Sequence, residues 1–222
     1  MPLWSYLALD LLLLFSLCLL GFGLASKRKG FHLFRAVGWA GFGIYWGLQA
    51  PHYWAIDDAV NVLGCLMAMP IFCYLGYHEY LSHRWDDEYE PLRFIGWAMF
   101  IASIGFFAVD KIPAISGALI LVVAQQSAWA ANLFGYDFSV SGVEYYGNPW
   151  YYKTDYLPAN EVSAPLLGVD IKIVIACTAI QALLITGAFI FASRGDGRRK
   201  WLSFAVVAPA IYAVNLARNA LV

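Results

Sequence analysis

The sequence predicts an all-α, polytopic membrane protein. Of its 222 residues, 61% are hydrophobic and 13% are charged, and the mean hydropathy is +0.63, well beyond the roughly half-apolar composition of soluble domains. The apolar residues form runs long enough to cross about 30 Å of hydrocarbon as helices. The basic residues fall in short loops and the net charge is -1, so the basic patch of a nucleic-acid-binding protein is missing. We expect one integral membrane domain over residues 1–222, with about six transmembrane helices and no nucleic-acid partner.

The first half of the chain, residues 1–109, reads as four helices. The basic cluster Lys27, Arg28, Lys29 follows the first of them, and the positive-inside rule places this cluster in the cytoplasm and the N-terminus outside. The second helix is rich in glycine, which suits close packing between membrane helices. The four helices are expected over residues 3–25, 33–50, 59–80 and 94–109.

Residues 113–134 decide the predicted topology. This run is apolar enough to span, but its middle contains Gln125, Gln126 and Ser127, which are costly in lipid unless they find partners. If the run crossed the membrane, the basic segment 194–200 would lie outside, against the positive-inside rule. An amphipathic helix at the outer interface leaves every basic loop inside. We therefore predict an outer interfacial helix.

Residues 135–170 form the long stretch without apolar character. Glycine, proline and asparagine recur between valine, tyrosine and phenylalanine, a pattern that indicates short strands or a hairpin. We expect a small extracytoplasmic cap whose aromatic side chains lie in the headgroup layer. These residues are Tyr145, Tyr146, Trp150, Tyr151, Tyr152 and Tyr156.

Residues 171–222 are predicted to form a helical hairpin around a basic turn. Cys177 lies 17 residues before Arg194, and Arg218 lies 18 residues after Lys200. At about 1.5 Å per residue, both are roughly 26 Å from the shared turn. A thiol and a guanidinium are therefore expected to meet at one membrane face, which the loop charges place outside.

This hairpin contains the candidate catalytic and substrate-binding residues. Cys177 suits a nucleophile and Arg218 an oxyanion-stabilising group, although a single thiol often serves packing and a terminal arginine can reach the headgroups. Asn215 shares a helix face with Arg218. Asn215, and Gln181 from the facing helix, can bind a substrate carbonyl or hold helices together. Thr178 adds a hydroxyl that can bind substrate or bond within its own helix.

A second constellation, His78, Glu79 and His83, resembles a zinc-protease box. Its spacing is one residue longer than that box, and positions i and i+5 point the imidazoles to diverging helix faces. Anchoring of the third helix at the interface explains these residues better. We expect no metal and no cofactor.

Three stretches resemble one known family. Residues 176–181 (ACTAIQ), residues 209–219 (PAIYAVNLARN) and residues 133–137 (LFGYD) are similar to the archaeosortase branch of the exosortase/archaeosortase family. The resemblance extends over roughly residues 94–222. The cysteine followed by the asparagine and arginine pair at this spacing is its most specific part.

The resemblance implies a membrane-embedded cysteine transpeptidase. Such enzymes process exported surface proteins that carry a C-terminal signal of a short motif, a transmembrane helix and a basic tail. In the archaeal branch the cleaved protein is joined to a membrane lipid. The resemblance implies that Cys177 is the nucleophile, that Arg218 supports the thiolate and the transition state, and that the active site lies at the extracytoplasmic face of the cell membrane.

The family also has a third functional position, a histidine or arginine further downstream. The sequence stops at Val222, four residues beyond Arg218. Either the chain is a fragment or it lacks this group, and we expect a C-terminally truncated fragment. The rival hypothesis is a non-enzymatic transporter subunit or assembly factor in which Arg218, Asn215 and Gln181 hold helices together.

Overall fold

The computed structural model describes residues 3–135, 138, 140, 142–146, 153–157, 173 and 175–221. Within these ranges α-helices dominate, which confirms the all-α class, and a short 3-10 turn and one two-stranded hairpin complete the fold. The order along the chain is α1 (Leu3–Leu24), α2 (Phe31–Ala55), α3 (Ala59–Trp85), α4 (Glu90–Lys111), α5 (Pro113–Asn132), β1 (Gly142–Tyr146), β2 (Lys153–Leu157), the 3-10 turn (Ile175–Thr178), α6 (Ile180–Ala192) and α7 (Gly197–Leu221).

The helix lengths and composition are those of a multi-pass membrane protein. In the described part of the chain, 5 helices, α1, α3, α4, α5 and α7, are long and apolar enough to cross a membrane. The helix α2 has 25 residues, but it does not belong to this group because its many glycine, tryptophan and histidine residues lower its hydropathy. The helix α6 is apolar but has only 13 residues. The prediction of about six spans included α2 and α6 and placed the α5 segment at the interface. It therefore differs from these five at three helices.

The chain divides into two compact units, Met1–Phe100 and Ile101–Val222. In the first unit, α2 packs against both α1 and α3. Its core contains Leu20, Leu24 and Trp39. The α1 and α2 backbones approach closely at Gly38, where a Cβ atom would lie 2.8 Å from the Leu20 nitrogen. This contact agrees with the prediction that the glycines of the second helix allow close packing.

In the second unit, α7 packs against α5 and α6, and α5 also packs against the 3-10 turn. The core at this junction contains Ile120, Val123, Ala124 and Ile173. The strands β1 and β2 pair antiparallel and lie against α5, which confirms the predicted hairpin in the segment 135–170. The predicted aromatic residues 150–152 lie outside the described residues.

The structure corrects the predicted start of the helical hairpin. The helix α6 begins at Ile180 rather than at residue 171, and Cys177 lies before it in the 3-10 turn. The depth estimate that assumed a continuous helix through Cys177 is therefore wrong. At the other end of α6, the Lys200 ammonium donates a 3.0 Å hydrogen bond to the Phe191 carbonyl. This bond satisfies one of the carbonyls that a helix leaves unpaired at its C-terminus.

The helix α5 covers most of the segment predicted to lie at the outer interface. Two of its features also suit a spanning helix. Gln126, one of the polar residues that argued against a span, accepts a 2.6 Å hydrogen bond from the Tyr212 hydroxyl. Large apolar side chains, Ile115, Val122 and Trp129, are exposed, while Ile120 and Val123 are buried. The interfacial placement stays a prediction, and the structure weakens the polar-residue argument for it.

Candidate functional site

The 3-10 turn holds Cys177 against α7 through its backbone. The Cys177 carbonyl accepts hydrogen bonds from the side-chain amides of Asn215, at 2.7 Å, and Asn219, at 2.9 Å. Asn215 and Asn219 are one helical turn apart, so their side chains lie on the same face of α7. The backbone around Cys177 is thereby fixed to the segment of α7 that also carries Arg218.

The joint between the 3-10 turn and α6 is Ala179. This residue has φ 61° and ψ -2°, a left-handed conformation, and its side chain makes no capping hydrogen bond. The first backbone bond of α6 runs from the Leu183 N–H to the Ala179 carbonyl. The N–H groups of α6 before Leu183 belong to its first turn. N–H groups in the first turn have no acceptor within their own helix.

Thr178, a predicted substrate-binding residue, is used inside the turn. Its side-chain hydroxyl donates a 2.6 Å hydrogen bond to the Ile175 carbonyl, and the residue is 3% exposed. Local bonding of this kind is the alternative that the sequence left open for this threonine. The Thr178 side chain therefore bonds within the turn and is not on an open surface.

A cavity of about 500 Å³ lies between the start of α6 and the last turns of α7. Three of the predicted site residues line it: Gln181, Asn215 and Arg218. Gln181 and Arg218 are exposed, and Asn215 is half-buried. The remaining lining residues are small or apolar. They are Ala176, Ala179, Ala182, Ala210, Ile211 and Val214.

The Cys177 side chain does not line this cavity. It is half-buried and packs against the buried cluster around Ile120, Val123 and Ala124. Among the described residues, the cavity lining includes its neighbours Ala176 and Ala179 but not Cys177 itself. The structure thus brings the backbone of Cys177 to α7, while its side chain packs against the α5 cluster and does not line the Arg218 cavity.

Sequence reasoning missed three residues of this region. Tyr212 and Gln126 join α7 to α5 by their side-chain hydrogen bond. Asn219 is 8% exposed and completes the pair of amides on the Cys177 carbonyl. Its position four residues after Asn215 is the sequence signal that could have identified it.

The first unit contains a separate buried cluster of polar and charged residues. The side chains of His32, Arg35 and Glu79 are 3%, 1% and 2% exposed. The His32 Nδ1 lies 3.0 Å from Glu79 Oε2, and the Arg35 Nε lies 3.2 Å from the same oxygen. Arg35 also donates to both carboxylate oxygens of Glu88, at 2.9 and 3.1 Å. Charged groups so far from water require such mutual pairing.

The electrostatics of Glu88 follow from this pairing. Burial raises the pKa of Glu88, whereas the hydrogen bonds and the charge of Arg35 lower it, with smaller contributions from His32 and Arg93. The net effect is a pKa below the ordinary value of a glutamate. A lowered pKa means that the folded protein favours the ionised carboxylate. The ion pair with Arg35 therefore contributes to stability at neutral pH.

The constellation of His78, Glu79 and His83 is divided among different contacts. The His78 ring packs against Tyr74, with ring centroids 4.4 Å apart. Glu79 belongs to the buried cluster, and the His83 Nδ1 lies 2.9 Å from the Lys29 carbonyl. The three side chains thus have separate partners in the fold.

Comparisons with known proteins place this geometry in a family context. The family model described as transmembrane exosortase (Exosortase_EpsH) matches residues 4–222. Archaeosortase A from Natronomonas pharaonis is 24% identical over 182 residues, which cover 82% of this chain and 54% of that protein. The chain therefore spans about half the length of this curated relative. No solved structure matches the chain.

Proposed function

Because the chain belongs to the transmembrane exosortase family, we propose that it is a membrane-embedded cysteine transpeptidase that acts on exported proteins with a C-terminal sorting signal. The observation that supports this proposal is the pair of hydrogen bonds from Asn215 and Asn219 to the Cys177 carbonyl. They attach the only cysteine of the second unit to the part of α7 that carries Arg218. The similarity to archaeosortase A supports the same class of reaction.

In the proposed reaction, the Cys177 sulfur attacks the carbonyl carbon at the recognition motif of the substrate. The carbon–nitrogen bond breaks, the thiol proton passes to the leaving amine, and a thioester with Cys177 remains. A lipid amine then attacks the thioester, an amide bond to the lipid forms, and the carbon–sulfur bond breaks. The proton lost by the lipid amine returns to the thiol, so protons balance over the cycle.

Arg218 has the proposed role of oxyanion stabilisation. Its guanidinium borders the cavity next to Ala179 and Gln181, where the N-terminus of α6 adds a positive helix dipole. A cation and N–H groups directed at the same point stabilise the negative charge that develops on the attacked carbonyl. The proposed reaction requires the Cys177 thiol to turn from the α5 cluster to this cavity, which the neighbouring residue Ala176 already lines.

The proposed partners are the C-terminal helices of exported surface proteins and a membrane lipid as acceptor. The substrate helix would approach through the bilayer, with its recognition motif entering the cavity of about 500 Å³. Gln181 has the proposed role of binding a substrate carbonyl at the exposed edge of this cavity. The proposed site faces the extracytoplasmic side of the cell membrane, as the loop charges predict.

A membrane assay with a reporter substrate tests the proposal. The reporter is an exported protein with a sorting signal at its C-terminus, and the products are followed by size and by mass for an attached lipid. We expect Cys177→Ser to abolish processing and Arg218→Lys to lower kcat about 10²–10³-fold, the usual effect of losing an oxyanion donor. Cys73→Ser, which changes a half-buried cysteine of the first unit, is the matched control and should retain activity. Processing by Cys177→Ser at the normal rate would refute the nucleophile assignment.

A non-enzymatic membrane component is the second candidate. It is favoured by the packing of the Cys177 side chain against the apolar cluster of α5 and by the use of both asparagine amides as links between chain segments. Polar links of this kind stabilise helix association in membranes. This candidate predicts that Cys177→Ser behaves like the parent protein in the processing assay, so the same variant separates the two hypotheses.

A further inference from the structure

The Cys177 carbonyl has an unusual set of partners. In an uninterrupted helix it would accept a hydrogen bond from the N–H four residues later, at position 181. The left-handed Ala179 ends that geometry, and α6 begins only at Ile180. Two side-chain amides from α7 take the place of the helical bond.

The left-handed conformation of Ala179 is unfavourable for a residue with a Cβ atom. The two amide hydrogen bonds to the Cys177 carbonyl are favourable contacts that offset this cost. No glycine or proline lies between residues 169 and 186, so the local sequence contains no strong helix breaker. The two amides from Asn215 and Asn219 are contacts that this interrupted geometry gains.

We propose that Asn215 and Asn219 are positioning residues that hold Cys177 outside α6, on the turn that borders the Arg218 cavity. This inference rests on the proposed thiol chemistry for its catalytic consequence. It reassigns Asn215 from substrate binding and gives a role to Asn219. If both amides are lost, the turn can rewind into α6 and carry Cys177 out of its position on the turn beside the cavity.

The bonds themselves are measured without any activity. In protein whose other cysteines (Cys18, Cys65 and Cys73) are replaced by alanine, cysteine labelled with ¹³C at its carbonyl places one isotope-shifted infrared amide band at Cys177. We expect this band to move to higher frequency in Asn215→Ala and in Asn219→Ala, and further in the double variant. Tyr212→Phe is the matched control, because it removes a different α7 hydrogen bond, and it should leave the band in place.

The catalytic consequence is measured as a split between kcat and KM. Each single alanine variant should lose about fivefold in kcat, the equivalent of one neutral hydrogen bond, at unchanged KM. The double variant should lose more than 25-fold, because each amide partly compensates for the loss of the other. A rise in KM with unchanged kcat in Asn215→Ala would instead assign Asn215 to substrate binding.

A pH profile separates positioning from general destabilisation. Asn219→Asp keeps the size of the side chain, but its ionised form has no proton to donate to the Cys177 carbonyl. Once protonated, the same side chain can donate. We expect kcat relative to the parent protein to recover as pH falls, together with a return of the infrared band toward its original frequency.

The outcomes distinguish this inference from the proposed function. An infrared band that is unmoved in both asparagine variants overturns the inference, whatever the activity. A moved band with parental kcat in the double variant overturns the positioning role. Full processing by Cys177→Ser would overturn the proposed function and the catalytic role that rests on it, even with the infrared shifts intact. Shifted bands, lowered kcat and recovery of Asn219→Asp at low pH together support it.

Discussion

Arg35 donates hydrogen bonds of 2.9 and 3.1 Å to the two carboxylate oxygens of Glu88. The arginine lies in α2, and the glutamate lies in the connection between α3 and α4. The Arg35 side chain is 1% exposed and that of Glu88 is 16% exposed. A two-bond pair with so little water around it tightly restricts the position of that connection.

The first prediction concerns the removal of Arg35. We expect Arg35→Met to lower the free energy of unfolding of the first unit by about 3–5 kcal/mol, because it leaves Glu79 and Glu88 without their main cation. The measurement is a titration with sodium dodecyl sulfate in mild detergent, with the alkylation of buried Cys65 as the reporter of unfolding.

Lys27→Met is the matched control for this prediction. Lys27 forms an ion pair of 2.8 Å with Glu90, but the two side chains are 57% and 42% exposed. Exposed pairs contribute about 0–1 kcal/mol, so this variant should unfold close to the parent. Equal losses in the two variants would show that burial does not strengthen the Arg35 interactions.

The second prediction concerns the acid stability of the first unit. Since the pKa of Glu88 is lowered in the folded state, its contribution to stability is full above the unfolded value of about 4.3 and is lost as pH falls through the folded pKa. We expect the difference in unfolding free energy between the parent and Glu88→Gln to be constant above about pH 5.5 and to shrink below it. A difference that stays constant under strongly acidic conditions would contradict the assigned ion pair. The measurement is the same detergent titration repeated over pH.

The turn at Cys177 and the buried cluster around Arg35 show which features can be predicted from the sequence and which cannot. Hydrophobic runs predicted the helical class, and the three-residue spacing of Asn215 and Arg218 placed them on one face of a helix. The 3-10 turn could not be predicted, because the residues around Cys177 are compatible with a helix. The turn depends on amides 38 and 42 residues later in the chain, and a local pattern contains no information about such partners.

The buried cluster was missed for a related reason. Arg35 follows a basic loop, and sequence reasoning treats such residues as contributions to membrane orientation. Its partner Glu88 is 53 residues away, in a loop whose acidic residues count little for orientation. The glycines of the second helix predicted close packing, but they could not show that this packing brings Arg35 to a loop carboxylate.

The third prediction concerns the close approach of α1 and α2. A Cβ atom at Gly38 would lie 2.8 Å from the Leu20 nitrogen and 3.0 Å from the Ser16 carbonyl oxygen. Both are backbone atoms, so the helices must move apart. We expect Gly38→Ala to lower the unfolding free energy by about 1–3 kcal/mol, the usual cost of overpacking.

Gly64→Ala is the control, because a Cβ there meets nothing within 4 Å. This variant should raise stability by about 0.5–1 kcal/mol through helix propensity, and the same sign for both variants would contradict the packing argument.

The last prediction concerns the placement of α5. Ile112 and Phe134 flank the helix and are 44% and 70% exposed. An interfacial helix leaves both ends on the outer side, whereas a spanning helix places them on opposite sides. The basic residues of segment 194–200 favour the first arrangement. In a protein without other cysteines, we expect Ile112→Cys and Phe134→Cys both to react with a membrane-impermeant maleimide on intact cells. Asp196→Cys, in the α6–α7 connection, is the inside control and should react only after lysis. Reaction of Ile112→Cys alone, with Asp196→Cys labelled from outside, would establish that α5 crosses the membrane and would move the proposed active site to the cytoplasmic face.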